Sequence, residues 1–150
     1  MENKIPPPLI AISAALLMFS ATIIFPTLMI AIPFGNIIGA ILFIVSAFVM
    51  GAGVWEFRQR STTINPLKPE TASSLVNTGI FQYTRNPMYL GMAGILVGLF
   101  FYWGNFVSAL IIPVFLLYIY QFQIKPEERA MIKLFSSEFE DYCKQVRPWI

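Results

Sequence analysis

The side chains of this sequence with the clearest chemical potential gather in two segments. The first is Gly79-Ile80-Phe81-Gln82-Tyr83-Thr84-Arg85-Asn86-Pro87-Met88-Tyr89-Leu90-Gly91. The second opens with Glu127-Glu128, continues through Phe135-Ser136-Ser137-Glu138-Phe139-Glu140-Asp141-Tyr142 and closes with Val146-Arg147-Pro148-Trp149. Between them they offer a planar guanidinium that can grip a carboxylate through paired hydrogen bonds, an amide that can donate or accept, two tyrosines and two adjacent carboxylates. Taken singly, each has a structural reading: Arg85 as an interfacial anchor, Tyr83 and Tyr89 as interfacial aromatics, Glu127 and Glu128 as partners of a helix dipole. Other chemistries lack their residues. There is no histidine and one cysteine, Cys143, which excludes internal disulfides and histidine or multi-thiolate metal sites. No nucleophile triad or glycine-rich phosphate loop is present, and metal catalysis is not expected. A net charge of +2 carries no nucleic-acid signal.

The elements that must position these groups are apolar. Of 150 residues, 57% are hydrophobic and 12% charged, against roughly a quarter charged in a soluble domain. Two uncharged runs, Ile5 to Trp55 and Pro87 to Ile124, are each too long for one crossing of about 30 Å of hydrocarbon at about 1.5 Å per residue. The first far exceeds the apolar core of a signal peptide and is expected to be retained. The expected fold is all-α and integral to a membrane, with four transmembrane helices in two antiparallel hairpins. Helix one covers roughly Leu9 to Ile32, helix two Ile37 to Trp55, helix three Pro87 to Trp103 and helix four Phe106 to Ile124. Pro33-Phe34-Gly35-Asn36 and Gly104-Asn105 form the tight turns. All ten lysines and arginines then fall on one side, which the positive-inside rule makes cytosolic, together with both termini. The expected location is an inner or plasma membrane.

Gly91, Gly94 and Gly98 give helix three a small-residue face for close approach by another helix of the same chain. Pro26 and Pro113 are expected to kink helices one and four. The linker Glu56 to Asn86 is rich in turn-forming residues, and its length in a small protein raises the expectation of function. The tail from Lys125 reads as an amphipathic cytosolic helix starting at Pro126, with an apolar stripe of Met131, Phe135, Phe139, Tyr142, Val146 and Trp149. Residues 1–55 thus form a transmembrane hairpin, and 56–150 the core carrying the site, within one folded unit.

In these two segments the sequence resembles the isoprenylcysteine carboxyl methyltransferase and phospholipid methyltransferase superfamily, whose members carry Arg-His-Pro or Arg-Asn-Pro followed by x-Tyr-x-Gly at a helix start. They later carry a Glu-Glu pair, Phe-Gly-x-x-Tyr-x-x-Tyr and Val-x-Arg-Trp. Arg85-Asn86-Pro87-Met88-Tyr89-Leu90-Gly91 matches without a gap, as do Glu127-Glu128, Phe135 and Tyr142. The resemblance covers Thr62 to Trp149. Ile80-Phe81 stands in place of Pro-Tyr, Asn86 in the histidine position, Ser136 for the glycine and Phe139 for a tyrosine. Arg147-Pro148-Trp149 reorders the closing segment, and Gln123 stands where some relatives have arginine.

The resemblance implies S-adenosylmethionine as cofactor. Arg85 would hold its carboxylate, with Asn86 beside it, and Glu127 or Glu128 its ammonium or ribose hydroxyls. The backbone of Val76, Thr78, Gly79, Ile80 and Phe81 would meet the adenine. Tyr83 and Tyr89 would face the sulfonium, a contact worth about 0.5 to 2 kcal/mol, and Pro87, Leu90 and Tyr142 complete the set. Arg85, Glu127 and Glu128 are the implied catalytic residues. A carboxylate acceptor needs no base, whereas an amine must lose a proton, for which a glutamate is the candidate; a thiol is the third option. The acceptor is expected to be lipid-linked or apolar and to enter from the bilayer, with no nucleic acid or metal involved. Three other readings remain: an NADPH-dependent membrane reductase of related core, a small transporter, and a non-catalytic scaffold. The transporter would need an ionisable residue inside a span, and none of the four has one. The oligomeric state is not legible.

Overall fold

The computed structural model describes residues 5–60 and 71–150. Lys4 and the linker stretch 61–70, with Lys68, lie outside them. Five helices carry the fold: α1 (Pro7–Ile24), α2 (Gly35–Gln59), α3 (Pro87–Trp103), α4 (Phe106–Ile119) and α5 (Lys125–Gln145). The described residues contain no strand, only an isolated antiparallel bridge between Met29 and Asn105. Pro7–Ile24, Gly35–Gln59 and the continuous stretch Phe106–Gln145 are long and apolar enough to cross a membrane, and α3 is a shorter apolar helix of 17 residues. Length and composition together are those of an integral membrane protein.

α2 and α3 run antiparallel in close contact, because small residues meet along both. A Cβ at Gly98 would lie 3.0 Å from the Gly39 carbonyl, one at Gly91 2.8 Å from the Ser46 carbonyl, and one at Gly53 3.0 Å from the Pro87 ring. The glycine face of helix three therefore serves packing within the chain. In an apolar solvent such intimate backbone contact supplies the association that water would otherwise drive. α1 packs on α3 and α4, although α2 follows it in sequence. Met18, Leu96, Ile119 and Ile124 are fully enclosed at this junction.

Helix one ends earlier than expected. Proline restricts the residue before it to extended conformations, and Phe25 leaves the helix at φ −121°, ψ 58°, so Pro26 terminates α1 rather than kinking it. A short 3-10 turn, Pro26–Leu28, follows. Fully buried Asn105 then ties α1 and α4 together. Its Oδ1 accepts from the backbone of Val107 at 3.0 Å and Ser108 at 3.2 Å, capping α4. Its Nδ2 donates to the carbonyls of Ala21 at 3.4 Å and Phe25 at 3.0 Å, capping the open end of α1. Gly104 turns the chain at φ 62°.

The tail helix does not begin anew at Pro126. α4 passes through a π-turn, Tyr120–Ile124, directly into α5, with the Lys125 amide reaching back five residues to the Tyr120 carbonyl. Pro126 has no amide hydrogen and its ring crowds the preceding turn; a widened turn immediately before it accommodates both problems. α5 breaks once, at Ser136 (φ 46°, ψ −122°), the position of the glycine in the resembled motif. Beyond this kink its apolar stripe turns onto the chain ahead of α3, where Phe139, Tyr142 and Val146 bury against Val76 and Phe81.

Candidate active site

One end of the bundle carries a cleft of about 130 Å³ formed by four elements. α2 contributes Phe57. The segment before α3 contributes Ala72, Ser74, Leu75, Val76, Phe81, Arg85 and Asn86. α3 opens into it with Pro87, Met88 and Tyr89, and α5 closes it with Glu127, Glu128, Met131, Phe139 and Tyr142. Pro87 at the first position of α3 has its fixed φ ready for helix and no amide to satisfy, so Arg85 and Asn86 sit at the mouth of the helix.

Two carboxylate contacts cross the cleft from α5. Arg85 Nη2 pairs with Glu128 Oε1 at 2.5 Å, and the Tyr89 hydroxyl donates a short hydrogen bond to Glu127 Oε1. Adjacent residues on a helix point in different directions, and here they engage different partners, one at the mouth of α3 and one inside its first turn. Glu127 lies beyond the apolar span of α4. Burial pushes its carboxyl up to about 8, against the lowering effect of the Tyr89 hydrogen bond and with a further push from Glu128. A carboxyl that keeps its proton up to about 8 titrates close to neutral pH and is suited to receive and return one.

The chain's last residues fasten the arginine. Arg85 Nη1 donates to the carbonyls of Cys143 at 3.3 Å and Val146 at 3.1 Å, and the Arg85 amide donates to the Arg147 carbonyl at 3.1 Å. Asn86 Nδ2 and the Thr84 hydroxyl both donate to the Pro148 carbonyl, at 2.9 and 3.3 Å. Three successive carbonyls after α5, those of Val146, Arg147 and Pro148, with that of Cys143 inside α5, thus bind three consecutive residues before α3. Two polar atoms of the cleft, Arg85 Nε and Ser74 Oγ, are shielded from solvent and find no hydrogen-bond partner among the described residues. A buried donor without an acceptor is costly, and both would gain from a bound anionic or hydroxyl-bearing group.

Nine of the residues marked in the sequence line this cleft: Val76, Phe81, Arg85, Asn86, Pro87, Tyr89, Glu127, Glu128 and Tyr142. Five do not. Tyr83 is 73% exposed and points away; Leu90 continues α3 on another side, and Thr78, Gly79 and Ile80 lie behind the wall that Val76 and Phe81 form. Sequence reasoning did not mark Phe57, Ala72, Ser74, Leu75, Met88, Met131 or Phe139. For Met131 and Phe139 the signal was their place on the apolar stripe of α5; for Phe57, Ser74 and Leu75 nothing local distinguishes them from linker.

Residues 34–138, most of the chain, match the family of phospholipid methyltransferases. The chain belongs to that family. Its similarity extends to the protein-S-isoprenylcysteine O-methyltransferase of Saccharomyces cerevisiae, 25% identical over 119 residues, which is 74% of this chain and 46% of the yeast protein. The protein of the same description from Schizosaccharomyces pombe is 35% identical over 72 residues, 48% of this chain and 30% of that one. An uncharacterised protein of Haemophilus influenzae is 36% identical over 63 residues, 42% of this chain and the whole of that one. The chain thus spans less than half the length of its two yeast relatives. No solved structure matches it significantly. For a phospholipid methyltransferase family member, the matched region contains the segment before α3, α3 itself and both glutamates, and so most of the cleft.

Proposed function

We propose that this protein transfers a methyl group from S-adenosylmethionine to a lipid-linked or apolar acceptor at the cytosolic face of a membrane. The observation that carries the proposal is the convergence of Arg85, Tyr89, Glu127 and Glu128 on one cleft in a chain of this family. The donor set fits the cofactor: an orphaned guanidinium nitrogen for its carboxylate, two carboxyl groups for its ammonium and ribose hydroxyls, and the apolar walls Phe57, Val76, Phe81 and Phe139 for its adenine. When bound it would supply an activated methyl on a sulfonium.

The protein's own contribution is alignment and exclusion of water. Arg85 and Asn86 fix the polar end of the cleft against the C-terminal carbonyls. Glu127, with its raised pKa, can take the proton of an amine or thiol acceptor; a carboxylate acceptor arrives ionised and leaves Glu127 a binding role. Cytosolic placement is supported by the basic residues among those described, all of which lie at the cleft end of the four helices.

Incubation of purified protein with labelled S-adenosylmethionine and separate amine, thiol and carboxylate lipid acceptors, read by mass spectrometry, tests the activity. Label in one acceptor class is expected, and label in none refutes it. Topology is tested in intact cells of a Cys143→Ser background. A cysteine at exposed Phe34 should react from outside and one at exposed Gln145 only after permeabilisation; the reverse would overturn the orientation.

A further inference from the structure

The wall formed by Val76 and Phe81 belongs to a segment with little regular structure, and its position needs a cause. We infer that Glu56, on α2 and outside the cleft, is a positioning residue that holds this wall for the cofactor; the inference rests on the cofactor reading above. The Thr78 hydroxyl donates to Glu56 Oε2 at 2.8 Å, and Arg60, the residue that caps the end of α2, donates to the same hydroxyl at 3.5 Å. Gly79, the next residue, is at φ +57°, and a Cβ there would collide with Glu56 Oε1. Glycine is required twice, by the left-handed backbone and by the carboxylate pressed against it.

The brace is transmitted to the wall through few bonds. The Thr78 carbonyl accepts from the Phe81 amide at 3.1 Å, closing the turn Gly79–Gln82. The Phe81 carbonyl then accepts from the Tyr142 hydroxyl at 2.6 Å, reaching α5. Phe57, adjacent to Glu56, meets the Phe81 ring edge-on, with centroids 5.3 Å apart. The wall is therefore pinned from α2 on one side and from α5 on the other. Without the Glu56 contact the segment would lose backbone freedom each time a ligand bound, which weakens binding without touching the reacting atoms.

The expected signature is a change in affinity at constant turnover. Glu56→Ala and Thr78→Val should each raise the Kd for S-adenosylhomocysteine, and the KM for S-adenosylmethionine, about tenfold with kcat nearly constant, and the double variant should be no worse than either single. Glu56→Gln keeps an oxygen that accepts from Thr78 and should restore most of the affinity. A ligand-free readout uses the native thiol Cys143, packed against the Phe81–Tyr142 cluster: maleimide should label it several-fold faster in Glu56→Ala but not in Glu56→Gln. Unchanged affinity and labelling in folded Glu56→Ala and Thr78→Val overturn the inference. Altered labelling in a protein whose wild type binds no S-adenosylhomocysteine upholds the brace and removes the cofactor reading.

Discussion

Asn86 donates its side-chain amide to the carbonyl of Pro148 at 2.9 Å, joining residues 62 positions apart. The residue that immediately precedes α3 is thereby held by Pro148. Removing residues 147–150 takes away the acceptors for the Arg85 amide, the Asn86 side chain and Thr84, and withdraws Trp149 from the core. Each lost bond leaves a partly buried donor unmatched, at about 1 to 3 kcal/mol or less. We expect this truncation to reduce S-adenosylhomocysteine binding at least about tenfold while membrane insertion persists. Calorimetry on the purified variant decides, and wild-type affinity would show that the C-terminal strap is dispensable.

Arg85→Ala should lower stability by about 2 to 4 kcal/mol, because it leaves Glu128 partly buried and unpaired and strands two carbonyls. Arg85→Lys should rescue little, since a single ammonium cannot reproduce a fork that meets a carboxylate on one side and backbone oxygens on the other. Melting in detergent measures both. A Lys variant as stable as wild type would mean that charge alone suffices.

Stability should fall as pH rises between 4.5, the ordinary value for Glu127, and about 8, its value in the fold. Across that window the folded protein binds more protons than the unfolded chain, so raising pH favours unfolding; below the window the slope vanishes, and above it the loss is complete. Glu127→Gln should flatten the profile. Binding of a cationic cofactor favours the carboxylate, so affinity should climb with pH toward 8 and level off above it. A wild-type melting profile identical to that of Glu127→Gln would contradict this assignment.

Ser136 is at φ 46°, ψ −122°, a conformation that glycine adopts freely and other residues resist. Ser136→Gly should therefore stabilise the protein by about 1 kcal/mol and Ser136→Val destabilise it by about as much or more. Thermal melts would show it. An unstable glycine variant would mean that α5 prefers to be straight.

Local patterns carried much of this. Pro87 to Trp103 and the Gly104-Asn105 turn follow from apolar run, proline and glycine, and two motifs, one before α3 and one in α5, mark Arg85 and the glutamate pair. What stayed hidden was decided by distant contacts. Nothing near Pro26 shows that Asn105, 79 positions later, will cap the helix that Pro26 ends. Nothing near Glu56 announces Thr78. Tyr83 and Tyr89 look alike in sequence, yet the chain turns between them, and one faces solvent while the other meets Glu127.

The wide turn Tyr120–Ile124 has a consequence for the angular phase of the helix. A π-turn is an α-helix holding one residue too many, so deleting Gln121 would leave α4 and α5 a more regular rod. Each residue of an α-helix advances about 100°. Rewinding the turn as plain α-helix with every residue kept would thus swing Glu127 and Glu128 away from Tyr89 and Arg85, or force the whole of α4 to roll against Met18 and Leu96, whereas the deletion would absorb that advance. A locally better helix would then be a worse protein, because the irregular turn sets the rotational alignment between the part of the rod that packs in the bundle and the part that faces the cleft.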